Sequence, residues 1–416
     1  MLFNTKPILV NKAESEFTRP GRSFGNCLRG CQWAPDGSCI CTNSDDHCIR
    51  IFNLPEKFLH DNNLDIVDDT KEPEELHSVL ELKESQIIYD YCWYPYMNSL
   101  DYSTCFLLCC SRDVPIHLWD AYTGRIFSSF LAENNVNELV SARSIRFMEC
   151  GRKILAGYEK FLCIFDLSRP GKYADYLYDI PKGIISCLST CNNDNQLFAT
   201  GSFNRLIGLY DSKTMENIAT IKGHYGGITH LHLSSDNIRL YSGARKDNEI
   251  LCWDLRNYGE ILHIIQRNCP TNQRIYFDLN GPNDENILAT GDNQMVRFYN
   301  LKFNEQQQQP TMDDKILKSF NEFHSHNNRV NGISFHPSLP LLATTSGERC
   351  LIDFKNNDDN DDDDDIIYDY KKIYTQDNNM KFWWFKDEDH HSINQDDQPR
   401  TDDDDDDDDN VKIEQK

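Results

Sequence analysis

Six times along this chain a β-rich run ends in an aromatic residue followed by an acid or an amide: Phe52-Asn53, Trp119-Asp120, Phe165-Asp166, Tyr210-Asp211, Trp253-Asp254 and Tyr299-Asn300. Six residues before each aromatic stands a short polar side chain or a carboxylate: Asp46, Asp113, Glu159, Asn204, Asp247 and Asn293. The aromatics are 67, 46, 45, 43 and 46 residues apart. Apart from the first gap, this is the roughly 40–45-residue period of a four-stranded propeller blade. The polar residue suits the tight turn between second and third strands, where it accepts from backbone N–H groups that would otherwise be unpaired. The aromatic then falls on the third strand and fills the space between blades.

A seventh blade reads as interrupted. Residues 330–336 and 341–345 have the pattern of its first two strands, an acidic insertion follows at 355–377, and 381–385 resumes as the third. Asn378 stands six residues before Trp384, which fits the register, as do Glu348 and Phe354. The fourth strand is expected from the N-terminal segment 1–18, which would close the ring and remove its last exposed edges. The expected fold is therefore all-β: a seven-bladed WD-repeat β-propeller over residues 19–390. The stretch 55–84 reads as a flexible acidic insertion, 391–416 as a disordered acidic tail, and Gln306–Gln309 as part of a loop. No long N-terminal extension is expected before the propeller.

The fifth repeat carries the fullest signature, with Gly223-His224, Ser242, Asp247 and Trp253-Asp254. A His, a Ser and an Asp can form a nucleophilic triad. In a repeat of this kind the same residues form an imidazole–hydroxyl–carboxylate–indole hydrogen-bond chain inside the blade, so His224, Ser242, Asp247 and Trp253 are assigned a structural role.

The formal net charge is -25, but seven aspartates within 358–365 and eight at 402–409 supply much of it. The remainder is mildly acidic, so nucleic-acid binding would need a local basic surface. The N-terminus has no apolar core of a secretory signal, and no run approaches the roughly 18 apolar residues of a membrane span. The 16 cysteines lack paired C-x-x-C spacing and read as small buried hydrophobes in a reducing compartment. No metal-ligand cluster, phosphate-cradling glycine loop or nucleophile elbow is present, so neither cofactor nor catalysis is expected.

Propellers present a ring of side chains on the narrow top face: two per blade beside the start of the innermost strand, and one before the turn acid. The residues before the turn acids are Asp45, Arg112, Tyr158, Phe203, Lys246 and Asp292. At the innermost strands come Arg29, Tyr89, Arg143, Thr229, Asn331, Gln273 and Arg329, with Arg245 and Arg274 beside them. The expected binding face is thus Arg29, Tyr89, Arg112, Arg143, Tyr158, Phe203, Arg245, Lys246, Arg274 and Arg329. Guanidinium forks pair with phosphates and exposed rings stack on unpaired bases. The same ring also suits a peptide or protein ligand. Alternatively, Tyr158 and Phe203 pack between blades and the arginines pair with local acids.

The stretches GCQWAPDGSCICTNSDDHCIRIFNLP (30–55), IYDYCWY (88–94), PIHLWDAYTG (115–124), GHYGGITHL (223–231), YSGARKDNEILCWDLR (241–256), TNQRIYFDL (271–279) and HPSLPLLATTSGER (336–349) together resemble the telomerase Cajal body protein family. The likeness runs over about 14–350, and Trp383-Trp384 echoes a tryptophan pair near that family's C-terminus. It implies a non-enzymatic RNA chaperone that recognises the short CAB-box loop of small Cajal-body RNAs and, where present, of H/ACA-type telomerase RNA. It further implies association with H/ACA ribonucleoprotein proteins and with the telomerase ribonucleoprotein, and residence in the Cajal bodies of the nucleus. The aspartate runs and the 55–84 stretch depart from the family, and no basic cluster resembles a nuclear localisation signal. A protein-interaction scaffold, such as a ubiquitin-ligase adaptor holding a peptide on its top face, is the alternative.

Overall fold

Each blade is built on four antiparallel strands, which in blades one to six run in chain order from the ring axis outward. Blade one comprises Leu28–Trp33, Cys39–Ser44, Cys48–Asn53 and Leu80–Lys83; blade two Ile88–Trp93, Phe106–Ser111, Ile116–Asp120 and Arg125–Phe130; blade three Ser144–Met148, Lys153–Gly157, Leu162–Asp166 and Ala174–Leu177. Blade four comprises Ile185–Thr190, Leu197–Ser202, Leu206–Asp211 and Asn217–Lys222; blade five Ile228–Leu233, Arg239–Ala244, Glu249–Asp254 and Glu260–Gln266; blade six Phe277–Leu279, Ile287–Asp292, Met295–Asn300 and Asn321–His324. The computed structural model describes residues 2–17, 26–58, 71–134, 136–148, 151–178, 180, 182–190, 197–280, 286–302, 313–348 and 377–386. The aspartate runs, Gln306–Gln309, the acidic tail and all but residue 377 of the 355–377 insertion lie outside these residues.

Both faces of a blade pack on its neighbours, so the second strands combine apolar and small polar residues that are buried on both faces rather than alternating. All six residues of Cys39–Ser44 and of Leu341–Ser346 are buried. The repeat aromatics sit between blades: Phe52, Phe165 and Tyr210 expose no surface, and Trp253 exposes 1%. Each contributes roughly 1.5–3 kcal/mol by leaving water.

Blade seven is Val330–Phe335, Leu341–Ser346, Met380–Trp384 and Ile8–Ala13, the last two antiparallel with Ile8 opposite Trp384. The expected Asn378–Trp384 register is off by one. Trp383 donates from Nε1 to Thr344 Oγ1 at 2.8 Å, and Asp377, six residues earlier, accepts from the Asn327 N–H at 2.6 Å. Trp384 faces the other side and stacks on Phe58, with centroids 5.3 Å apart. Adjacent strand residues point to opposite faces, and two consecutive tryptophans make both registers plausible in sequence.

The 55–84 stretch is not simply a flexible insertion. Leu80–Lys83 is the outer strand of blade one, with Leu82 fully buried. Glu74–Glu75 adds in parallel beside Ile8–Ala13, and the Glu75 carboxylate accepts from the Glu14 and Ser15 N–H groups at 2.9 and 2.8 Å. The segment thus clamps the closing strand. The acidic composition hid an apolar alternation only four residues long.

In five blades the innermost strand shifts register after its first residue: between Leu28 and Gly30, Ile88 and Asp90, Ile185 and Cys187, Ile228 and His230, and Val330 and Gly332. A bulged residue leaves the ladder and its side chain is re-aimed. The skipped residues are Arg29, Tyr89, Ser186, Thr229 and Asn331; Arg29 and Tyr89 are half-buried, while Ser186, Thr229 and Asn331 are buried and bond to the Ile228, Gly243 and Leu28 carbonyls.

Candidate nucleic-acid interface

The turns that carry the top face are fixed from within. His224 Nδ1 lies 2.9 Å from Asp247 Oδ2 and Nε2 lies 2.7 Å from Ser242 Oγ, which also accepts from Trp253 Nε1 at 2.7 Å. Asp247 accepts from the Tyr225 and Glu249 N–H groups at 3.0 and 3.2 Å. Burial opposes its charge, but the His224 bond holds its pKa below the usual range. Blade seven repeats the arrangement with His326 between Asn379 Oδ1 (2.8 Å) and Thr344 Oγ1 (2.7 Å). In blade two Glu84 replaces the imidazole, accepting from Ser111 Oγ at 2.9 Å and Trp119 Nε1 at 2.8 Å and meeting His117 Nδ1 at 3.0 Å. Sequence reasoning missed both variants. The eighteen-residue His–Thr spacing in blade seven, equal to His224–Ser242, was the available signal.

Other turn residues depart from the expected role. Asp113 and Glu159 are exposed and, among the described residues, form ion pairs with their neighbours Arg112 (3.2 Å) and Lys160 (3.6 Å). Asn204 donates, from Nδ2 to the Lys182 carbonyl at 2.9 Å. In blade six Asp292 rather than Asn293 accepts from a backbone N–H, that of Asn268, at 2.8 Å. A turn shifted by one residue exchanges which side chain points inward.

The ten residues expected at the mouth separate into three groups. Tyr158 is the clearest correction: it exposes 1% of its surface and stacks flat on Phe161 with centroids 4.8 Å apart, so no base can reach it. Arg29, Arg274 and Arg329 meet acids. Arg29 pairs with Asp45 and donates to the Ile88 carbonyl at 2.8 Å. Arg329 lies 3.9 Å from Glu348. Arg274 reaches Asp90 of blade two at 3.1 Å and the Ser186 carbonyl of blade four at 2.5 Å, so its guanidinium bridges the ring across its axis. Asp90 is 1% exposed and also takes Arg146 at 3.0 Å. Burial disfavours the Arg274 charge, yet the Tyr276 hydroxyl and Asp90 raise its pKa.

The third group stays available. Arg143 lies over the Tyr89 ring at 4.2 Å and Arg245 over Phe203 at 4.4 Å. Gly226 and Gly227 allow the second pair, because a Cβ on Gly226 would lie 1.8 Å from the Arg245 carbonyl oxygen and one on Gly227 2.8 Å from that of Phe203. A guanidinium held flat on a ring keeps its edge donors free. Lys246 and Arg112 are exposed. The sequence reading missed three further exposed cations on the same side, Lys160, Lys182 and Arg205.

The top face is therefore electrostatically divided. On blades six, seven and one the bases meet acids: Arg297 with Asp292 at 3.0 Å, Lys381 with Asp377 at 3.6 Å, Arg29 with Asp45. On blades three to five Arg143, Lys182, Arg205, Arg245 and Lys246 make no ion pair among the described residues. Beneath the Arg274 bridge a cavity of about 500 Å³ opens to the opposite face, lined by Trp33, Trp93, Arg146, His230, His232 and Phe335 among others. Among the described residues no group of His, Cys, Asp or Glu could hold a metal, and no helix is long and apolar enough to cross a membrane.

The WD domain, G-beta repeat family matches residues 17–53, 215–254 and 317–352, which take in strands of blades one, five and seven and the outer strands of blades four and six. Telomerase Cajal body protein 1 of Mus musculus is 39% identical over 353 residues, 83% of this chain. The propeller is homologous to the telomerase Cajal body proteins. The Homo sapiens protein of that name is also 39% identical, over 83% of the chain, and the Drosophila melanogaster homologue 34% identical over 77%. The chain spans 63%, 61% and 56% of the mouse, human and fly proteins, less than two thirds of each.

Proposed function

We propose that this propeller is a non-enzymatic RNA-binding protein of nuclear Cajal bodies. It recognises the CAB-box loop of small Cajal-body and H/ACA-type RNAs, telomerase RNA among them where present, and guides the assembled ribonucleoprotein with its H/ACA proteins to those bodies. The observation that carries the reading is the pair of arginine-on-aromatic contacts, Arg143 on Tyr89 and Arg245 on Phe203, whose guanidinium groups make no ion pair among the described residues. Such a pair offers phosphate donors and a flat surface together, which suits an unpaired loop whose bases can splay out. The homology to proteins named for telomerase and the Cajal body supports the same ligand class.

A second reading, a protein-interaction scaffold, is favoured by one observation: Arg29, Arg274 and Arg329 meet acids and are not open to phosphate. Titration against a CAB-box hairpin and a loop-scrambled control at several salt concentrations separates the two. Preference for the intact loop is expected. Equal affinity for both hairpins sinks the RNA reading and promotes the scaffold.

A further inference from the structure

We propose that the rim of the top face over blades three and four is a phosphate track for a single-stranded stretch flanking the recognised loop, with Lys160, Lys182 and Arg205 as its contacts. It rests on the RNA reading above.

In six blades the turn between the second and third strands carries one left-handed residue: His47, Asp113, Lys160, Arg205, Lys246 and Asn293, at φ between 51° and 71°. That conformation crowds Cβ against a carbonyl, and Gly, Asn or Asp adopt it most easily. Blades two and six comply with Asp113 and Asn293. Blades three, four and five place Lys, Arg and Lys there, one after another around the ring. Neither Arg205 nor Lys246 makes an ion pair among the described residues that would account for the choice, and Lys160 meets only exposed Glu159.

Backbone bonds lock the first two turns to the loop between them. The Lys160 N–H donates to Gly183 O at 3.0 Å, the Phe203 N–H to Ile184 O at 3.1 Å, and Asn204 Nδ2 to Lys182 O at 2.9 Å. Gly183 has φ 113°, and a Cβ there would stand 2.6 Å from Asn204 Nδ2. Lys160, Lys182 and Arg205 thus ride on one hydrogen-bonded scaffold, and the Arg245–Phe203 pair continues it into the mouth. One exposed ring stands beside these turns: Tyr225 is 80% exposed and is tied by its N–H to Asp247 in the next turn round the ring. A row of cations leading to the Arg245–Phe203 pair and the exposed Tyr225 ring suits a single strand, because a duplex keeps its bases away from such rings.

The test compares the full chain with K160N/R205N. Asparagine tolerates the left-handed turn, so the variant keeps its melting temperature. Two RNAs are titrated: the CAB-box hairpin alone, and the hairpin with a ten-nucleotide single-stranded flank. The parent is expected to bind the flanked RNA more tightly than the bare hairpin. The variant should lose that difference, and its salt slope on flanked RNA should be shallower by about 1.4, from about 0.7 per phosphate contact. A variant that keeps both the difference and the slope overturns the track while leaving loop recognition standing. So does a variant that loses affinity only for a polyglutamate peptide, which would make the rim an acidic-peptide site. No loop preference in the parent instead overturns the RNA reading itself.

Discussion

Trp253 and Trp383 hold equivalent places in blades five and seven, each donating from its indole nitrogen to a hydroxyl that a histidine also engages: Ser242 at 2.7 Å for the one, Thr344 at 2.8 Å for the other. Both hydroxyls expose no surface, so removing a partner strands a buried polar atom. His224→Ala and His326→Ala should each lower unfolding free energy by roughly 1–3 kcal/mol. RNA affinity per folded molecule should stay at the parent value. Denaturant titration and binding on the same preparations check this, and lost affinity in a fully folded variant would give these histidines a role in recognition.

Several histidines make stability depend on pH. Burial holds the His232, His263 and His336 imidazoles down at about 4 in the folded chain, against roughly 6.5 when unfolded. Between those values the unfolded chain binds more protons, so this contribution is complete above about pH 6.5 and is lost as pH falls towards 4. Melting temperature should be flat from pH 8 to 7 and decline steadily below 6.5. A flat profile down to pH 4.5 would contradict the neutral buried imidazoles.

Deletion of residues 1–13 removes the outer strand of blade seven and exposes the Met380–Trp384 edge. Because that strand joins the two ends of the described chain, the whole ring should destabilise. Glu75→Ala should give a partial version, roughly 1–3 kcal/mol, by leaving the Glu14 and Ser15 N–H groups without their acceptor. Scanning calorimetry would show it. An unchanged transition in both variants would mean that the closing strand is dispensable.

The mouth residues should fall into two classes by affinity and salt dependence. Arg143→Ala and Arg245→Ala should weaken CAB-box hairpin binding and flatten its salt dependence by about 0.7 each. Tyr89→Ala and Phe203→Ala should cost roughly 1–3 kcal/mol of binding if bases stack there, with less change in slope. Tyr158→Ala should act on stability, since its ring is buried. Mouth variants that bind like the parent would remove the functional assignment.

The aspartates within 358–365 and at 402–409 carry the same charge as phosphate and should not assist recognition. Deleting them is expected to leave the preference for the intact loop in place and to raise affinity for scrambled RNA at low salt. Loss of loop preference on deletion would show that they take part.

The blade period was legible because the space between blades demands a large ring at one position of every third strand, as at Phe52, Phe165 and Tyr210. The pairing of charges was not. Arg274 finds Asp90 184 positions away, and nothing local marks either as the other's partner. Tyr158 was correctly placed in its turn but faces inward, because stacking on Phe161 fixes an orientation that spacing leaves open. Glu84 escaped notice because a carboxylate does the work an imidazole does in blade five, and it sits at the end of an acidic stretch. Lys160, Lys182 and Arg205 stand on the rim of the ring, outside the three positions per blade that mark its mouth.

The Arg274 bridge makes the ring a platform and not an eyelet. A strand could be threaded through an open hole only from a free end, and the hairpin loop proposed as the ligand has none. With the axis barred by contacts to blades two and four, the ligand can only be laid down from the side and lifted off again. Capture and release of the proposed loop therefore need no unfolding of the RNA and no opening of the ring.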